Sequence, residues 1–362
     1  MAKEKLRVGI IGIGIWSTIS HVPALVQTGR VELVSICRRS SDKLAFSRQQ
    51  LGAAKAYTDW QELLAQDNLD AVVISTPHHV HTKQTVAALE RGLHVLVEKP
   101  MALTGQDAQR MNDAAKRANR ILMVGYNRRF HGLWRTAKQV LAENAIGQIR
   151  QVNIQWCLNR RSWAMQDIPE AVVAGAKRAT QWPDEFFDGF IQGTDWHGSP
   201  SENGGGMFAN SGTHWIDLVL WLAGAPASEV VALQDSLGMP AECFLNVQAR
   251  LTNGVQVSVT SADAPAGGWG GQGQLTIIGE DGILTHDLAK AGEIWLQQKG
   301  ETTQLESTVT DTTPAAGFVS AILDGKENLS PGNEAIDAVE FMEATYRSAA
   351  EGRIIQIEGR SC

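Results

Sequence analysis

The stretch VGIIGIGIWSTISHVPAL (8–25) carries two glycines two positions apart at the end of an apolar run. Gly12 would permit a tight turn, and Gly14 would let the backbone approach a pyrophosphate lying on the N-terminus of the following helix. Ser17 stands where a third glycine is usual, and its small side chain still allows close helix–strand packing. The stretch predicts a dinucleotide site, with a ligand-free structural turn as the alternative. The residues predicted to contact the dinucleotide here are Gly12, Gly14, Ile15 and Trp16.

The second apolar run, VELVSIC (31–37), is followed by Arg38, Arg39 and Ser40. An acidic residue is usual at this point, because its carboxylate accepts hydrogen bonds from the ribose of NAD. Guanidinium groups instead suit the 2′-phosphate of NADP. The stretch therefore favours NADP over NAD as the cofactor, with solvated loop arginines as the alternative.

The segment GGGMFANSGTHWIDLVLWLAG (204–224) places polar groups along one stripe of an otherwise apolar helix. Asn210, His214, Asp217 and Trp221 recur at helical spacing, so they share one face. A helix that is apolar nearly all round is buried, and its polar groups must find partners. His214 could therefore act in proton transfer, or His214 and Asp217 could simply satisfy each other.

Continuous apolar runs alternate with helical stretches in the first third of the chain. The runs lie at 7–12, 31–37, 71–76, 94–100 and 121–126, and helical stretches lie at 82–92 and 105–119. Runs that are apolar throughout are typical of parallel strands covered on both faces. The sequence thus predicts an α/β chain that begins with a Rossmann dinucleotide-binding domain over residues 1–126.

Residues 127–362 follow a different pattern. QVNIQWCL (151–158) and ECFLNVQARLTNGVQVSVTS (242–261) alternate apolar and polar residues, with Asn253-Gly254 as a hairpin turn and a weaker hairpin around Asp281-Gly282. This half is predicted to be an α+β substrate-binding and oligomerisation domain with a mainly antiparallel open sheet. Residues 159–203 form an irregular insertion that either lines a site or is a loop.

The composition limits the class of protein. The 362 residues are 43% hydrophobic and 20% charged, with a net charge of -7, which fits a protein that handles small molecules and argues against a surface coated by nucleic acid. The four cysteines are scattered, so we expect no disulfide framework and no metal site. No apolar run approaches the ~20 residues that span a membrane, and no signal peptide is visible; we expect a cytoplasmic protein.

Several stretches carry a specific resemblance. They are ISTPHHVHTKQTVAALERGLHVLVEKPMALT (74–104), VGYNRRF (124–130), the helix segment 204–224 and AVEFMEATYRSAAEGRIIQI (338–357). The chain resembles the Gfo/Idh/MocA oxidoreductases, the family of glucose–fructose oxidoreductase and inositol 2-dehydrogenase. The resemblance covers nearly the whole chain except 159–203, and it is specific for the family without being specific for a substrate.

The resemblance implies roles for individual residues. Lys99 of the EKP motif would lie beside the nicotinamide and the reacting hydroxyl, with Glu98 and Pro100 helping to place the cofactor. Thr76 and Pro77 would run along the dinucleotide. His81 occupies the usual histidine position of the family, and His214 becomes a catalytic candidate. Asp217 is expected to be structural.

The chain departs from the family pattern at position 210, where asparagine replaces the usual aspartate. Asn210 can hydrogen-bond but cannot offer a negative charge to a protonated histidine. Lys99 would then be the main acid or base, or His214 would work without anionic support, or the activity would be weak or lost. Lys99, His214 and Asn210 are the predicted catalytic residues.

The remaining site residues lie at the predicted domain junction and in the insertion. In GYNRRF, Asn127 is predicted to contact the cofactor, and Tyr126 and Arg128 the substrate, although packing is an equal alternative. The aromatic surfaces of the insertion suit the C–H face of a sugar or form a small core of their own. These residues are Trp163, Trp182, Phe186, Phe187, Phe190, Trp196 and His197, with Trp196 predicted to contact the substrate.

Three functions compete. The first is an NAD(P)-dependent dehydrogenase of a sugar, polyol or related hydroxy compound, with NADP favoured. The second is a glycosidase that uses transient oxidation by a retained nicotinamide, and the third is a catalytically silent regulatory protein that binds the cofactor. Since one face of the second sheet needs a cover, we also expect a homodimer or homotetramer, as the resemblance implies.

Overall fold

The computed structural model describes residues 4–41, 43–66, 68–158, 196, 199–263, 272–290 and 292–359 of the chain. These residues form two compact units. The first unit contains the described residues up to Asn127, together with Trp196 and Thr312–Ile336, and the second contains the remainder. Nothing in the sequence pattern joins 312–336 to the first unit, and the domain limits 1–126 and 127–362 stay a prediction.

The first unit is built on a six-stranded sheet in the order β3-β2-β1-β4-β5-β6. Every pair of neighbouring strands is parallel. The strands are β1 Leu6–Ile11, β2 Val31–Cys37, β3 Lys55–Tyr57, β4 Ala71–Ile74, β5 His94–Val97 and β6 Leu122–Val124. This order and direction define the doubly wound nucleotide-binding fold. The predicted α/β architecture is confirmed, and only the three-residue edge strand β3 was not foreseen.

Helices follow the strands of this sheet. They are α1 Val22–Gln27, α2 Leu44–Leu51, α3 Trp60–Gln66, α4 His81–Glu90 and α5 Gly105–Ala118. A π-helical turn, Ser17–His21, precedes α1. The N-terminus of α5 is capped by Thr104, whose hydroxyl accepts a hydrogen bond from the Asp107 backbone N–H at 3.2 Å. At the free edge of the sheet, the Val124 N–H donates to the Ser330 carbonyl at 2.9 Å, so part of β6 is covered.

The second unit contains a nine-stranded sheet in the order β14-β13-β12-β11-β7-β10-β9-β8-β15. Its neighbours are antiparallel except β7 and β10, which are parallel. Its strands are β7 Ile149–Leu158, β8 Ala227–Asp235, β9 Phe244–Leu251, β10 Gln256–Asp263, β11 Gln272–Gly279, β12 Gly282–Asp287, β13 Ile294–Gln298, β14 Glu301–Gln304 and β15 Ile355–Gln356. The predicted mainly antiparallel sheet and both predicted hairpins are confirmed.

One face of this sheet is packed and the other, here called the open face, carries exposed or half-exposed side chains. Val247 and Val259 are paired and fully buried, whereas their neighbours Asn246 and Thr260 point to the open face. The strand pairing aligns two rows of open-face residues across five strands. They are Leu233, Asn246, Thr260, Gln155 and Gln274, and then Val231, Gln248, Ser258, Asn153 and Thr276.

The remaining helices are α6 Gly132–Ala142, a helical turn Pro200–Asn203, a π-helical turn Phe208–Gly212, α7 Thr213–Ala223, α8 Pro314–Asp324 and α9 Gly332–Glu351. The π-helical turn runs directly into α7, so the stripe predicted as one continuous helix has a wider first turn. Among the described residues, no helix is both long enough and apolar enough to span a membrane.

Candidate functional site

The turn after β1 is fixed by Gly12. Its φ is +97°, and a Cβ atom there would overlap the Ser75 carbonyl oxygen, so only glycine fits. The backbone N–H groups of Gly12 and Ile13 donate to the Cys37 carbonyl at 3.0 and 3.2 Å. The chain therefore passes directly over the carboxyl end of β2, which is the place the doubly wound fold uses for nucleotides.

Ser17 closes the glycine turn and leaves Gly14 open. The Ser17 hydroxyl donates to the Gly12 carbonyl at 2.9 Å and accepts from the Gly14 N–H at 3.0 Å. No heavy atom of the described residues lies within 4 Å of the position of a Cβ at Gly14. Serine therefore replaces the third glycine with two hydrogen bonds of its own, and the space beside Gly14 suits a pyrophosphate.

The predicted phosphate-binding arginines lie beside this turn. Cys37, the last residue of β2, accepts the hydrogen bonds from the turn, and Arg38, Arg39 and Ser40 follow it. The Arg38 N–H donates to the Tyr57 carbonyl at 3.0 Å, which holds the backbone in the sheet. Arg39 is exposed, whereas Arg38 and Ser40 are half-buried.

Glu98 is buried at the end of β5 and collects three hydrogen bonds. Oε1 accepts from the Trp16 indole N–H at 2.8 Å and lies 2.7 Å from His21 Nε2, while Oε2 accepts from the Lys99 backbone N–H at 3.2 Å. Burial by itself would raise the pKa of Glu98, but the hydrogen bond and charge of His21 and the charge of Lys99 hold it below its usual value. The carboxylate thus stays ionised and ties the glycine turn to the EKP motif.

Lys99 lies between two buried residues, Glu98 and Pro100, and is itself half-buried. The Lys99-Pro100 peptide bond is cis. His81 is fully buried, with Nδ1 3.0 Å from the Pro100 carbonyl and Nε2 2.9 Å from the Thr76 carbonyl. Burial lowers the pKa of His81. Its ring therefore connects the EKP motif, through Pro100, to the segment that follows β4, through Thr76.

That segment also carries Thr76, Pro77 and His78. The Thr76 hydroxyl donates to Gln84 Oε1 at 2.7 Å. The Trp196 ring meets the His78 ring edge-to-face at 4.7 Å between centroids. Trp196 thus lies in the first unit near the carboxyl end of β4, while Trp163, Trp182, Phe186, Phe187, Phe190 and His197 lie outside the described residues.

The segment after β6 provides Tyr126 and Asn127. The Tyr126 side chain is fully buried, so in this structure it offers no exposed surface for the substrate contact predicted from the sequence. Asn127 is half-buried, and its buried Oδ1 has no hydrogen-bond partner in the part of the chain that the structure describes. An unsatisfied buried acceptor and an open glycine backbone in one unit fit a dinucleotide that brings its own donors and phosphates.

In the second unit, the π-helical turn and the first turn of α7 carry Asn210 and His214. Both are half-buried, although most of their neighbours along the segment are buried. A π-helical turn is common at functional positions because it widens the spacing of side chains along a helix. Asn210 and His214 therefore keep partial exposure on an otherwise buried element.

Asp217, on the same helix, is bound by an arginine that the sequence analysis did not identify as its partner. Arg129 Nε and Nη2 donate to the two carboxylate oxygens at 2.9 and 2.7 Å, and both side chains are almost fully buried. Two parallel bonds of this kind fix orientation as well as charge. Asp217 has a structural role as anchor of α7 to the segment that precedes α6.

Arg129 pairs with a carboxylate, whereas Arg128 lies over an aromatic ring. Its guanidinium carbon is 3.5 Å from the centroid of the Trp215 ring, and its buried Nε has no hydrogen-bond partner among the described residues. Burial lowers the pKa of Arg128 to about 10. The Trp215 ring also lies near His286, whose Nδ1 is 2.7 Å from the Glu293 carbonyl and whose pKa is lowered by burial and by the Arg128 charge.

A buried acid supports the glycine-rich segment before the π-helical turn. The Tyr346 hydroxyl accepts from the N–H groups of Gly206 and Ala209, at 3.2 and 3.1 Å, and donates to Glu242 at 3.0 Å. Glu242 also accepts from the Phe208 N–H at 2.8 Å. A Cβ at Gly205 would overlap the Tyr346 hydroxyl, which explains the glycine there. No sequence signal marks Glu242 or Tyr346, because their partners are far away in the chain.

Comparison with known proteins decides the family. The family model described as "Oxidoreductase family, NAD-binding Rossmann fold" matches residues 6–126, and the "GFO/IDH/MocA C-terminal domain" matches residues 134–285. The chain belongs to the Gfo/Idh/MocA family. The resemblance inferred from the EKP, GYNRRF and 204–224 segments is therefore confirmed. Within this family of oxidoreductases, the first unit is an NAD-binding Rossmann fold.

Relatives of this Gfo/Idh/MocA member cover part or all of the chain. Myo-inositol 2-dehydrogenase of Thermotoga maritima is 34% identical over 40% of this chain and 42% of its own length. The 1,5-anhydro-D-fructose reductase of Ensifer adhaerens is 29% identical over 65% of this chain and 62% of its own. The WlbA dehydrogenase of Bordetella pertussis, solved with NADH and UDP-GlcNAcA, is 25% identical and covers 98% of this chain and 100% of its own, with a TM-score of 0.76. The two curated relatives are thus matched over less than two thirds of their length.

The roles assigned to individual residues stay predictions. The structure places Gly12, Gly14, Glu98, Lys99 and His81 in one connected region of the first unit, through the hydrogen bonds described above. Asn210, His214 and Arg128 lie in the second unit. Within the described part of the chain, no group of three or more His, Cys, Asp or Glu side chains is arranged to hold a metal ion.

Proposed function

We propose that this protein is an NAD(P)-dependent oxidoreductase that transfers a hydride between a nicotinamide and a hydroxyl or carbonyl carbon of a sugar, polyol or related compound. One observation carries the proposal: the Glu98 carboxylate binds Trp16 of the glycine turn, His21 of the following helical turn and the Lys99 backbone. The dinucleotide turn and the EKP lysine are therefore held as one unit. The names of the relatives support the substrate class.

In this proposal, side chains of the protein carry out the proton transfer that accompanies hydride transfer. When bound, the nicotinamide ring accepts or gives the hydride. During oxidation the neutral amine of Lys99 accepts the hydroxyl proton and becomes an ammonium, and during reduction that ammonium donates the proton to the forming hydroxyl. Lys99 suits this role because it is half-buried between two buried residues, which restricts where its side chain can lie. His214 is a second proton carrier in this proposal. Asn210 gives it no negative charge, so Lys99 has the larger role.

The geometry of the first unit supports a set of proposed cofactor contacts. The space beside Gly14 receives the pyrophosphate, and Asn127 Oδ1, which has no donor among the described residues, accepts a hydrogen bond from the cofactor. Ile15 and Trp16 line the turn, and Thr76 and Pro77 line the neighbouring strand end. Both ring nitrogens of His81 face backbone carbonyls, so we propose that it positions Thr76 and Pro100 rather than binding the cofactor itself.

We also propose a preference for NADP over NAD. Arg38 and Arg39 directly follow the residue that binds the glycine turn, where a 2′-phosphate would be placed. Replacing both arginines by glutamine should weaken NADPH binding on the order of tenfold or more and leave NADH binding nearly unchanged. Equal losses for both cofactors, measured by fluorescence titration, would contradict this preference.

The activity itself is tested with a panel of sugars and polyols assayed with NAD and NADP side by side. Lys99→Ala should abolish turnover while the dissociation constant of NAD(P)H stays within about threefold of the wild type. Lys116→Ala, on the exposed face of α5, is the matched control and should leave both unchanged. Unchanged turnover in Lys99→Ala would remove Lys99 from the mechanism.

Two other results would redirect the assignment. Tight NADPH binding with no turnover on the whole panel would favour a regulatory protein, in agreement with Asn210. Hydrolysis of a chromogenic glycoside without net reduction of NADP would favour the glycosidase.

A further inference from the structure

Arg128 and Arg129 are neighbours in sequence, but their guanidinium groups lie in different surroundings. Arg129 is neutralised by Asp217 through two hydrogen bonds, the shorter of 2.7 Å. The Arg128 guanidinium makes no hydrogen bond or ion pair with any described residue, and its Nε is buried. A largely desolvated cation with unused donors is costly unless a further group supplies acceptors.

The surroundings of Arg128 give it a fixed orientation. The guanidinium carbon of Arg128 lies over the Trp215 ring, 3.5 Å from its centroid, and the centroid of the His286 ring lies 6.5 Å from that of Trp215. Trp134 contacts His286 edge-to-face at 4.9 Å. One face of the guanidinium is therefore covered by an aromatic ring, while its N–H groups have no acceptor among the described residues.

The charge around Arg128 favours an anion over a neutral hydroxyl. His286, whose pKa is lowered by burial and by the Arg128 charge, holds its Nδ1 against a backbone carbonyl, and a histidine supplies no negative charge in either protonation state. A charge-assisted bond is about twice as strong as a neutral one, and the planar N–H edge of arginine matches the two oxygens of a carboxylate or phosphate. Trp215 directly follows His214 in the chain, so the Arg128 cation lies against the helix turn that carries this proton-transfer candidate.

We propose that Arg128, stacked on Trp215, binds an anionic substituent of the substrate, so that the protein acts on sugar acids or sugar phosphates in preference to neutral sugars. The inference rests on the proposed function, because it names the substrate class of that activity. The same cation chemistry could serve a phosphate of the cofactor, and the experiment separates the two sources.

The test compares matched neutral and anionic ligands. Binding to the NADH-loaded protein is measured by calorimetry for glucose, glucuronate and glucose 6-phosphate, and for galactose and galacturonate. We expect an anionic member to bind at least about tenfold more tightly than its neutral partner, and Arg128→Gln to remove that advantage, a loss on the order of 10–100-fold. Neutral ligands should change by less than about threefold. Arg150→Gln, which removes an exposed partner of Glu280, is the matched control and should behave as wild type.

Each result decides the proposal. Equal binding of neutral and anionic partners, or no binding of any anionic member, overturns it even if turnover of a neutral sugar upholds the oxidoreductase assignment. A weaker NADH affinity in Arg128→Gln with unchanged sugar-acid binding assigns the cation to the cofactor and also overturns it. Should Arg128→Gln not fold, Arg128→Lys keeps the charge without the planar edge and should bind sugar acids less tightly than the wild type. Wild-type affinity for sugar acids should also fall as salt is added.

Discussion

At the scale of single residues, Glu98 links the glycine turn, the helical turn after it and the EKP motif through its carboxylate. The carboxylate is buried, yet it stays ionised because Trp16, His21 and the Lys99 backbone all donate to it or lie within hydrogen-bond distance. Removing one partner of such a buried group leaves the others unsatisfied. Its contribution to stability should therefore be large and depend on pH.

The pH dependence of Glu98 has a definite sign. Its pKa in the folded protein lies below the 4.5 of the free side chain, so the ionised form stabilises the fold above pH 4.5 and this contribution is lost as the pH falls through the folded-state pKa. Glu98→Gln should lower the free energy of unfolding at pH 7 by roughly 1.5–3 kcal/mol. Urea unfolding at pH 7 and pH 4 should show the gap narrowing at the lower pH.

A matched control for this prediction is Glu90→Gln, which changes an exposed glutamate at the end of α4. It should leave stability within about 0.5 kcal/mol of the wild type. A gap between wild type and Glu98→Gln that widens on acidification would mean that Glu98 is protonated in the fold.

At the scale of elements, the two glycines of the turn are expected to serve different purposes. Gly12 is required for folding, and Gly14 for binding the dinucleotide. Gly12→Ala forces a side chain into positive φ and against the Ser75 carbonyl, so it should destabilise the protein by about 2–5 kcal/mol. The methyl group of Gly14→Ala meets no atom of the residues described, so stability should change by less than about 1 kcal/mol. NADH affinity of Gly14→Ala should nevertheless fall about tenfold or more, because the new methyl occupies the space assigned to the pyrophosphate.

Thermal unfolding and NADH fluorescence titration of the two variants measure these effects. Wild-type NADH affinity in Gly14→Ala would show that the space beside Gly14 does not hold the pyrophosphate, whatever the stability of Gly12→Ala.

The π-helical turn that carries Asn210 depends on a second element through Tyr346. Tyr346→Phe removes the acceptor of two backbone N–H groups and the donor to buried Glu242, which should cost roughly 2–3 kcal/mol of unfolding free energy. Tyr57→Phe, on the half-exposed edge strand β3, should cost about 0.5 kcal/mol and serves as the control in the same urea titrations. Equal losses in the two variants would exclude a special role of Tyr346.

At the scale of the whole molecule, the open face of the second sheet carries exposed or half-exposed side chains in a single chain. Its two rows are uncharged polar side chains together with Val231 and Leu233, and Leu233 is 74% exposed. An uncharged face of this kind is suited to burial against a second copy. We propose that it forms the interface of a homodimer or homotetramer.

Sedimentation at micromolar concentration tests this interface. The wild type should sediment as a dimer or tetramer, and Leu233→Arg should shift it toward monomer because a charge would be buried without a partner. Leu237→Arg, a change of another exposed leucine outside the two rows, is the control and should not alter the assembly. A monomeric wild type would contradict the interface.

The sequence by itself determined what depends on neighbouring residues. Continuous apolar runs indicated the parallel sheet, alternation with Asn253-Gly254 indicated the hairpin, and Gly12 and Gly14 located the nucleotide turn. Each of these follows from backbone geometry or side-chain period, which are local properties. The EKP motif could be found only by resemblance, since nothing in its spacing alone points to chemistry.

Only the tertiary structure decided which buried polar groups pair. Glu98 meets Trp16 across 82 positions, Arg129 meets Asp217 across 88, and Tyr346 meets Glu242 across 104. A buried charge requires a partner, but the requirement can be met by any residue that the fold brings near, so sequence spacing carries no information about which one. For the same reason the contrast between a neutralised Arg129 and an uncompensated Arg128 became visible only in the folded chain.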